Sequence, residues 1–145
     1  MILRFAADSN CMVAAVCSWH VHHDRAIAEL ERRLNAGERL VVPAPALAES
    51  YSVLTRLPPP FRLSTSDGWG LLQQSFVRQG IVVALPAERY VTSLKRFAEQ
   101  GVAGGRMYDM LIAECAREAK AAVLLTFNRR DFEPPPQDLA IIEPE

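Results

Sequence analysis

Asp8, Glu49, Asp109 and Asn128 each stand where an apolar stretch gives way to a turn or a helix. They are scattered over the whole chain, so only folding can bring them together. Carboxylates gathered without a base partner are the usual way for a protein to hold a hard divalent cation such as Mg2+ or Mn2+, which takes oxygen donors. Asp8 follows Phe5-Ala6-Ala7 and opens the turn Asp8-Ser9-Asn10. It reads either as a helix N-cap, a position Asp prefers, or as a ligand at the carboxyl end of a strand. Asp109 lies three, four and seven residues before Ile112, Ala113 and Ala116. Its carboxylate therefore shares the inward face of a helix, a costly place unless it is paired or metal-bound. The plainer alternative is a pairing with Arg106 or with the positive end of the helix. Glu49 shares a face with Pro45, Ala46 and Val53; taken alone it reads as a partly exposed helix acid.

Asn128 comes just past Val123-Leu124-Leu125-Thr126, and Asp131 follows three residues later. Either supplies oxygen to a metal directly or through water, and both also suit ordinary turn chemistry. Ser9 and Thr126 offer hydroxyls to the carboxylates or to bound water. Arg129 and Arg130 offer contacts to phosphate, although adjacent arginines are also commonly just solvated.

The elements that must position these residues follow from the hydrophobic pattern. Short apolar runs alternate with longer stretches of helical period, as in parallel strands joined by crossover helices, so the class is α/β. Strands are predicted at Leu3 to Ala7, Leu40 to Val42, Ile81 to Ala84, Ala122 to Thr126 and Ala140 to Ile142. A short helix follows Asp8, and a longer one runs from about His23 to Gly37 with Ile27, Leu30 and Leu34 on one face. Another starts at Pro45, which suits a first turn, and ends before Pro58-Pro59-Pro60. Trp69, Leu72 and Phe76 form a third apolar stripe; Val91, Leu94, Phe97 and Ala98 form a fourth. The last helix follows Gly104-Gly105 and carries Ile112, Ala113 and Ala116 toward the sheet.

At 145 residues the chain is the size of one domain, and the two proline triplets read as rigid loops within it. A formal charge of −1 excludes a global positive field, so any nucleic-acid binding rests on local patches, nearly all of them arginine. Cys11, Cys17 and Cys115 form no C-x-x-C pair and sit among apolar residues, which suits a reducing compartment. The first residues lack the cationic leader and long apolar run of a signal peptide, and no segment approaches the ~20 apolar residues that span a bilayer. The expectation is a cytoplasmic protein with no membrane association.

Four short motifs carry a family resemblance: Ala-Asp8-Ser9-Asn10, Pro-Ala-Leu-Ala-Glu49-Ser-Tyr, Gly-Gly-Arg106-Met-Tyr-Asp109-Met-Leu-Ile-Ala, and Leu-Leu-Thr126-Phe-Asn128-Arg-Arg-Asp131-Phe132. Each is weak alone, but in register over the whole chain they resemble the PIN-domain ribonucleases, specifically VapC-like toxins of toxin–antitoxin pairs. The resemblance implies a single three-layer α/β/α domain over residues 1–145, with a central parallel sheet of four to five strands. It implies Mg2+- or Mn2+-dependent endonucleolytic cleavage of RNA, with Asp8, Glu49 and Asp109 as the acidic metal site. Asn128 or Asp131 would complete that site, Ser9 and Thr126 would support it, and Arg106, Arg129 and Arg130 would contact the RNA backbone. It also implies an antitoxin protein partner and a homodimer. Two positions depart from the pattern. Ser9 replaces the usual Thr and keeps the hydroxyl, whereas Asn128 replaces a frequent Asp and removes one charge, leaving open whether one metal is held or two.

Other readings compete. A haloacid-dehalogenase-like phosphatase places an aspartate nucleophile after its first strand but wants a second carboxylate two residues on, where this chain has Asn10. A receiver domain needs an acidic pair and a late-strand lysine that are missing; a degenerate PIN domain would only bind a protein. His20, His22 and His23 suggest a transition-metal site, yet their spacing suits a loop and helix start better than a shared set of ligands. Trp19 and Trp69 are candidates for stacking on bases; Trp69 also fits a helix's apolar stripe and is expected in the core.

Overall fold

The computed structural model describes residues 1–145. Five strands, β1 (Arg4–Ala7), β2 (Arg39–Pro43), β3 (Gly80–Val83), β4 (Val123–Leu125) and β5 (Ala140–Ile142), form one sheet in the order β3-β2-β1-β4-β5. Every neighbouring pair is parallel. Parallel strands need crossovers, and six helices supply them: α1 (Ser9–Val16), α2 (His23–Asn35), α3 (Ala44–Thr55), α4 (Thr65–Leu72), α5 (Ala87–Gln100) and α6 (Gly105–Glu118). The result is the α/β class expected from the alternation of patterns, in the three-layer α/β/α arrangement that the family resemblance implies. Strand β1 is central and covered on both faces, which is why Phe5-Ala6-Ala7 is continuously apolar and fully buried.

The winding fixes where a site can form. From β1 the chain steps outward to β2 and β3, then α6 returns it to the other side of β1 for β4 and β5. Loops leaving β1 and β4 at their carboxyl ends therefore diverge, opening a crevice at the topological switch point. Asp8 leaves β1 there, and Thr126 leaves β4. The backbone ladder continues into the crevice, with the Asp8 N–H donating to the Leu125 carbonyl at 2.9 Å.

Helix boundaries follow local chemistry. Ser64 caps α4, its hydroxyl accepting from the Asp67 N–H at 3.0 Å. Gly101 terminates α5 at φ +74°, a left-handed conformation that costs a side chain dearly. Residues Gln73–Val77 extend α4 as a single π-helical turn.

Two predicted faces are corrected by the packing. Of the α5 stripe only Phe97 is buried; Val91, Leu94 and Ala98 face solvent. The inward side of α5 is Tyr90, Ser93 and Phe97, where Tyr90 and Phe97 meet Leu85, Leu111 and Cys115 in a small cluster separate from the main core. A stripe containing Tyr and Ser is less apolar than its neighbour, so composition pointed to the wrong side. Trp69, expected in the core, is 44% exposed. The face of α4 against α3 is Gly68 and Leu72: a Cβ at Gly68 would lie 3.4 Å from Thr55 Cγ2, which places Trp69 about 100° around the helix. Cys11, Cys17 and Cys115 are buried free thiols, as expected.

Candidate active site

Asp8 is 3% exposed, and both its carboxylate oxygens are engaged. Oδ1 accepts from the Ser9 N–H at 2.8 Å, making Asp8 the N-cap of α1. Oδ2 accepts from the Thr126 hydroxyl at 2.9 Å and from Asn10 Nδ2 at 3.2 Å. The N-cap reading therefore holds through one oxygen, while the other is held by Thr126 and Asn10.

Asn10 locks the two loops together. Its Nδ2 donates to Thr126 Oγ1 at 3.0 Å, and its Oδ1 accepts from the Phe127 N–H at 3.0 Å. Thr126 Oγ1 in turn accepts from the Asn128 N–H at 3.0 Å. The importance of Asn10 was not read from the sequence. The only signal was a carboxamide two residues past the aspartate, where a phosphatase would carry its acid.

Glu49 projects from α3 and accepts a hydrogen bond from the Ser9 hydroxyl. Asp109 lies half-buried on α6, on the same side as the buried Ile112, Ala113 and Ala116. Asp131 sits on the 3-10 turn Arg129–Phe132 that follows Asn128. These acids feel one another. Burial pushes the Asp8 carboxyl from 3.8 up to about 6 against the pull of its hydrogen bonds, with added repulsion from Glu49 and Asp131. Asp109 rises to about 7, first through burial and then through the charges of Asp8, Asp131 and Glu49. Mutually repelling carboxylates raise one another's pKa until a cation neutralises them. The donor set is oxygen only, which suits a hard divalent ion, and the acids are near enough to feel one another's charge at the carboxyl end of the sheet. They stand apart there, with no three acidic, histidine or cysteine side chains closed around one point.

The sequence profile of the PIN domain matches residues 6–134. This chain belongs to the PIN domain family. It is 38% identical to ribonuclease VapC40 of Mycobacterium tuberculosis over 128 residues, covering 88% of this chain and 89% of that protein. Ribonuclease VapC27 of the same species is 33% identical over 108 residues, 74% of this chain and 66% of that protein. The fold is also that of VapBC2 from Rickettsia felis bound to a promoter DNA fragment, with a TM-score of 0.71, 20% identity and coverage of 99% and 100%. VapBC-1 from nontypeable Haemophilus influenzae superposes with a TM-score of 0.68 at 19% identity, covering 97% and 98% of the two chains.

Within this PIN domain the arginines occupy different places. Arg129 and Arg130 are exposed beside Asn128 and Asp131, and with Phe127 and Glu143 these residues line a concavity of about 510 Å³. Arg106 turns away, its guanidinium donating to the Glu133 carbonyl and lining a groove of about 530 Å³ that contains none of the four crevice acids. Asn128 is exposed and enters the network through its backbone N–H alone. The three histidines do not converge as ligands. His20 Nδ1 accepts from the His22 N–H at 3.0 Å, His23 Nδ1 lies 2.8 Å from the Ala14 carbonyl, and His22 stacks on Phe127. No helix of the chain is long and apolar enough to cross a membrane.

Proposed function

We propose that this chain is a divalent-metal-dependent endoribonuclease and the toxin of a toxin–antitoxin pair, acting in the cytoplasm as one domain. The observation that carries the reading is that Asp8, Glu49, Asp109 and Asp131, from four separate segments, lie near enough at the switch point of a PIN fold for their charges to raise the Asp8 and Asp109 pKa values. Its relatives include proteins named as ribonucleases, and its fold neighbours include toxin–antitoxin complexes. An antitoxin partner and a homodimer belong to the same proposal.

Asp8, Asp109 and Glu49 would hold Mg2+ or Mn2+, which supplies Lewis acidity to the phosphodiester and neutralises the acids. The protein's own part is positional. Thr126 and Asn10 fix Asp8 Oδ2, while Ser9 fixes one oxygen of Glu49 and leaves the other to orient the attacking water. Asp131 fills the fourth corner in place of Asn128, because its charge reaches both Asp8 and Asp109. Arg129 and Arg130 contact phosphates beside the cut, and Arg106 contacts the strand farther along.

Purified protein incubated with RNA tests the reading. Cleavage is expected with Mg2+ or Mn2+, none with chelator, and none from Asp109→Asn protein that retains its fold. Chelator-resistant cleavage, or a fully active Asp109→Asn variant, rejects the site. A protein that binds a partner but cuts no RNA is a degenerate PIN domain. Expression should arrest growth only when Asp109 is intact.

A further inference from the structure

The histidine-rich turn after α1 plays no part in the acid crevice, yet its rings are linked to it. Phe61 lies 4.4 Å from Trp19 between ring centroids, Trp19 lies 5.8 Å from His20, and His20 lies 5.5 Å from His22. His22 then stacks almost parallel on Phe127, at 4.3 Å and 14°. Five rings from three remote segments form one continuous file.

The two ends of the file differ. At the outer end Trp19 is 47% and Phe61 41% exposed, so large apolar faces stand open to solvent. At the inner end the Phe127 N–H is held by Asn10, and Phe127 directly follows Thr126, the residue bonded to Asp8. Arg25 stands over the Phe127 ring at 5.3 Å and bonds His22 Nδ1, placing a cation at that inner end. The file therefore leads from solvent to the edge of the crevice and acquires positive charge as it arrives.

An RNA strand approaching this crevice meets several carboxylates on a chain of net charge −1. Coulombic attraction alone is a poor grip there, whereas unpaired bases present π faces that stack on aromatic side chains whatever their sequence. We propose that the open end of the file, Trp19 and Phe61, is a stacking platform for unpaired nucleotides of the RNA strand on its way to the crevice, held in line by His20, His22 and Phe127. This rests on the ribonuclease reading and deepens it. Trp19 is here a substrate-binding residue, remote from the reacting phosphate.

The test measures binding of a fluorescent oligouridylate in chelator, where no turnover occurs, together with cleavage kinetics in Mg2+. Trp19→Ala should weaken binding by roughly 5- to 150-fold, the range for losing one stacked base, and should raise KM with little change in kcat. Trp19→Phe should recover most of the affinity. In Trp69→Phe protein, where Trp19 is the remaining tryptophan, the oligouridylate should quench its emission, a readout that holds even if Trp19→Ala fails to fold. Unquenched emission, or Trp19→Ala that folds, binds and cuts like the unmodified protein, overturns the platform. Loss of a protein partner by that variant with RNA binding intact assigns the file to the partner and also overturns it. If the unmodified protein neither binds nor cuts RNA, the ribonuclease reading itself has failed.

Discussion

The Thr126 hydroxyl donates to Asp8 Oδ2 at 2.9 Å, joining the carboxyl ends of β4 and β1 across 118 residues of chain. The same oxygen accepts from Asn10 Nδ2 and from the Asn128 N–H, so one buried hydroxyl carries a three-way junction. It fixes the direction of an acid that is already paying for its burial. A hydroxyl is required because the junction needs one donor and two acceptor positions on a single small atom.

Thr126→Val keeps the shape and β propensity but removes all three interactions. Buried partners left unsatisfied cost about 1–3 kcal/mol, which a shift in urea midpoint should register. Loss of the group orienting a metal-holding carboxylate should also lower Mg2+ affinity by roughly 10- to 100-fold, measured by titrating activity against Mg2+. Thr126→Ser, which restores the hydroxyl, should recover most of both.

Legibility followed the physics of each feature. Asp8 was readable because a carboxylate ending an apolar run is rare and Phe5-Ala6-Ala7 precedes it, and Asp109 because it shares a helical face with Ile112, Ala113 and Ala116. Strand β5, three residues at a sheet edge, coincides with the short branched apolar run Ala140 to Ile142. What escaped depends on pairings between remote segments. Asn10 matters only through Thr126 and Phe127, more than a hundred residues away. The inward side of α5 is set by Leu111 and Cys115 on α6, which no periodicity within α5 reveals. Nor does the sequence disclose that Phe61, Trp19 and Phe127 share a file.

Stability without metal should fall as pH rises through neutrality. Asp8 has a folded pKa of about 6 and Asp109 about 7, both above the ordinary 3.8 of the unfolded chain. A raised pKa means the folded state holds its proton more tightly. The associated stability is complete below pH 3.8 and is lost as pH climbs through 6 to 7. For Asp8 that is roughly 3 kcal/mol, taking 1.36 kcal/mol per pKa unit. In chelator the melting temperature should be higher at pH 5.5 than at pH 8, about the range over which these groups ionise. Asp8→Asn should flatten the difference by raising stability at the alkaline end, while abolishing cleavage. Mg2+ should do the same for the unmodified protein, and a melting temperature that does not depend on pH would count against the raised values.

Glu114 is an acid whose role lies outside the crevice. Its side chain is 4% exposed and is gripped by Arg96 at 2.8 Å, Arg117 at 2.9 Å and Arg89 at 3.3 Å, tying α5 to α6. Removing one partner of a buried ionic group leaves the others uncompensated, at a cost of roughly 3–5 kcal/mol where burial is complete. These arginines are partly exposed, so Glu114→Ala should fall toward the lower end of that range in urea denaturation. Cleavage per folded molecule should persist, which separates this carboxylate from Asp109 one helical turn and a residue before it.

The last test concerns the fourth corner of the crevice. Asn128 is exposed and contributes a backbone N–H to Thr126, whereas the Asp131 charge raises the pKa of both Asp8 and Asp109. The two residues are three apart, Asn128 capping the turn Arg129–Phe132 and Asp131 within it, and Asp131 too is exposed. Asp131→Asn should therefore lower the Asp109 pKa from about 7, because one source of repulsion is gone, and carbon-detected NMR of the carboxyl would follow it. It should also weaken Mg2+ binding by roughly tenfold, at the lower bound for groups that support a metal ligand. Asn128→Ala should leave both quantities nearly unchanged, because the backbone N–H that holds the turn survives the substitution. If Asn128→Ala impairs Mg2+ binding while Asp131→Asn does not, the carboxamide oxygen is the ligand. Asp131 then acts only through its field. Adding charge by Asn128→Asp separates the two further: with Asp131 as the fourth oxygen, a fifth acid raises the Asp109 pKa and makes metal-free protein less stable at alkaline pH.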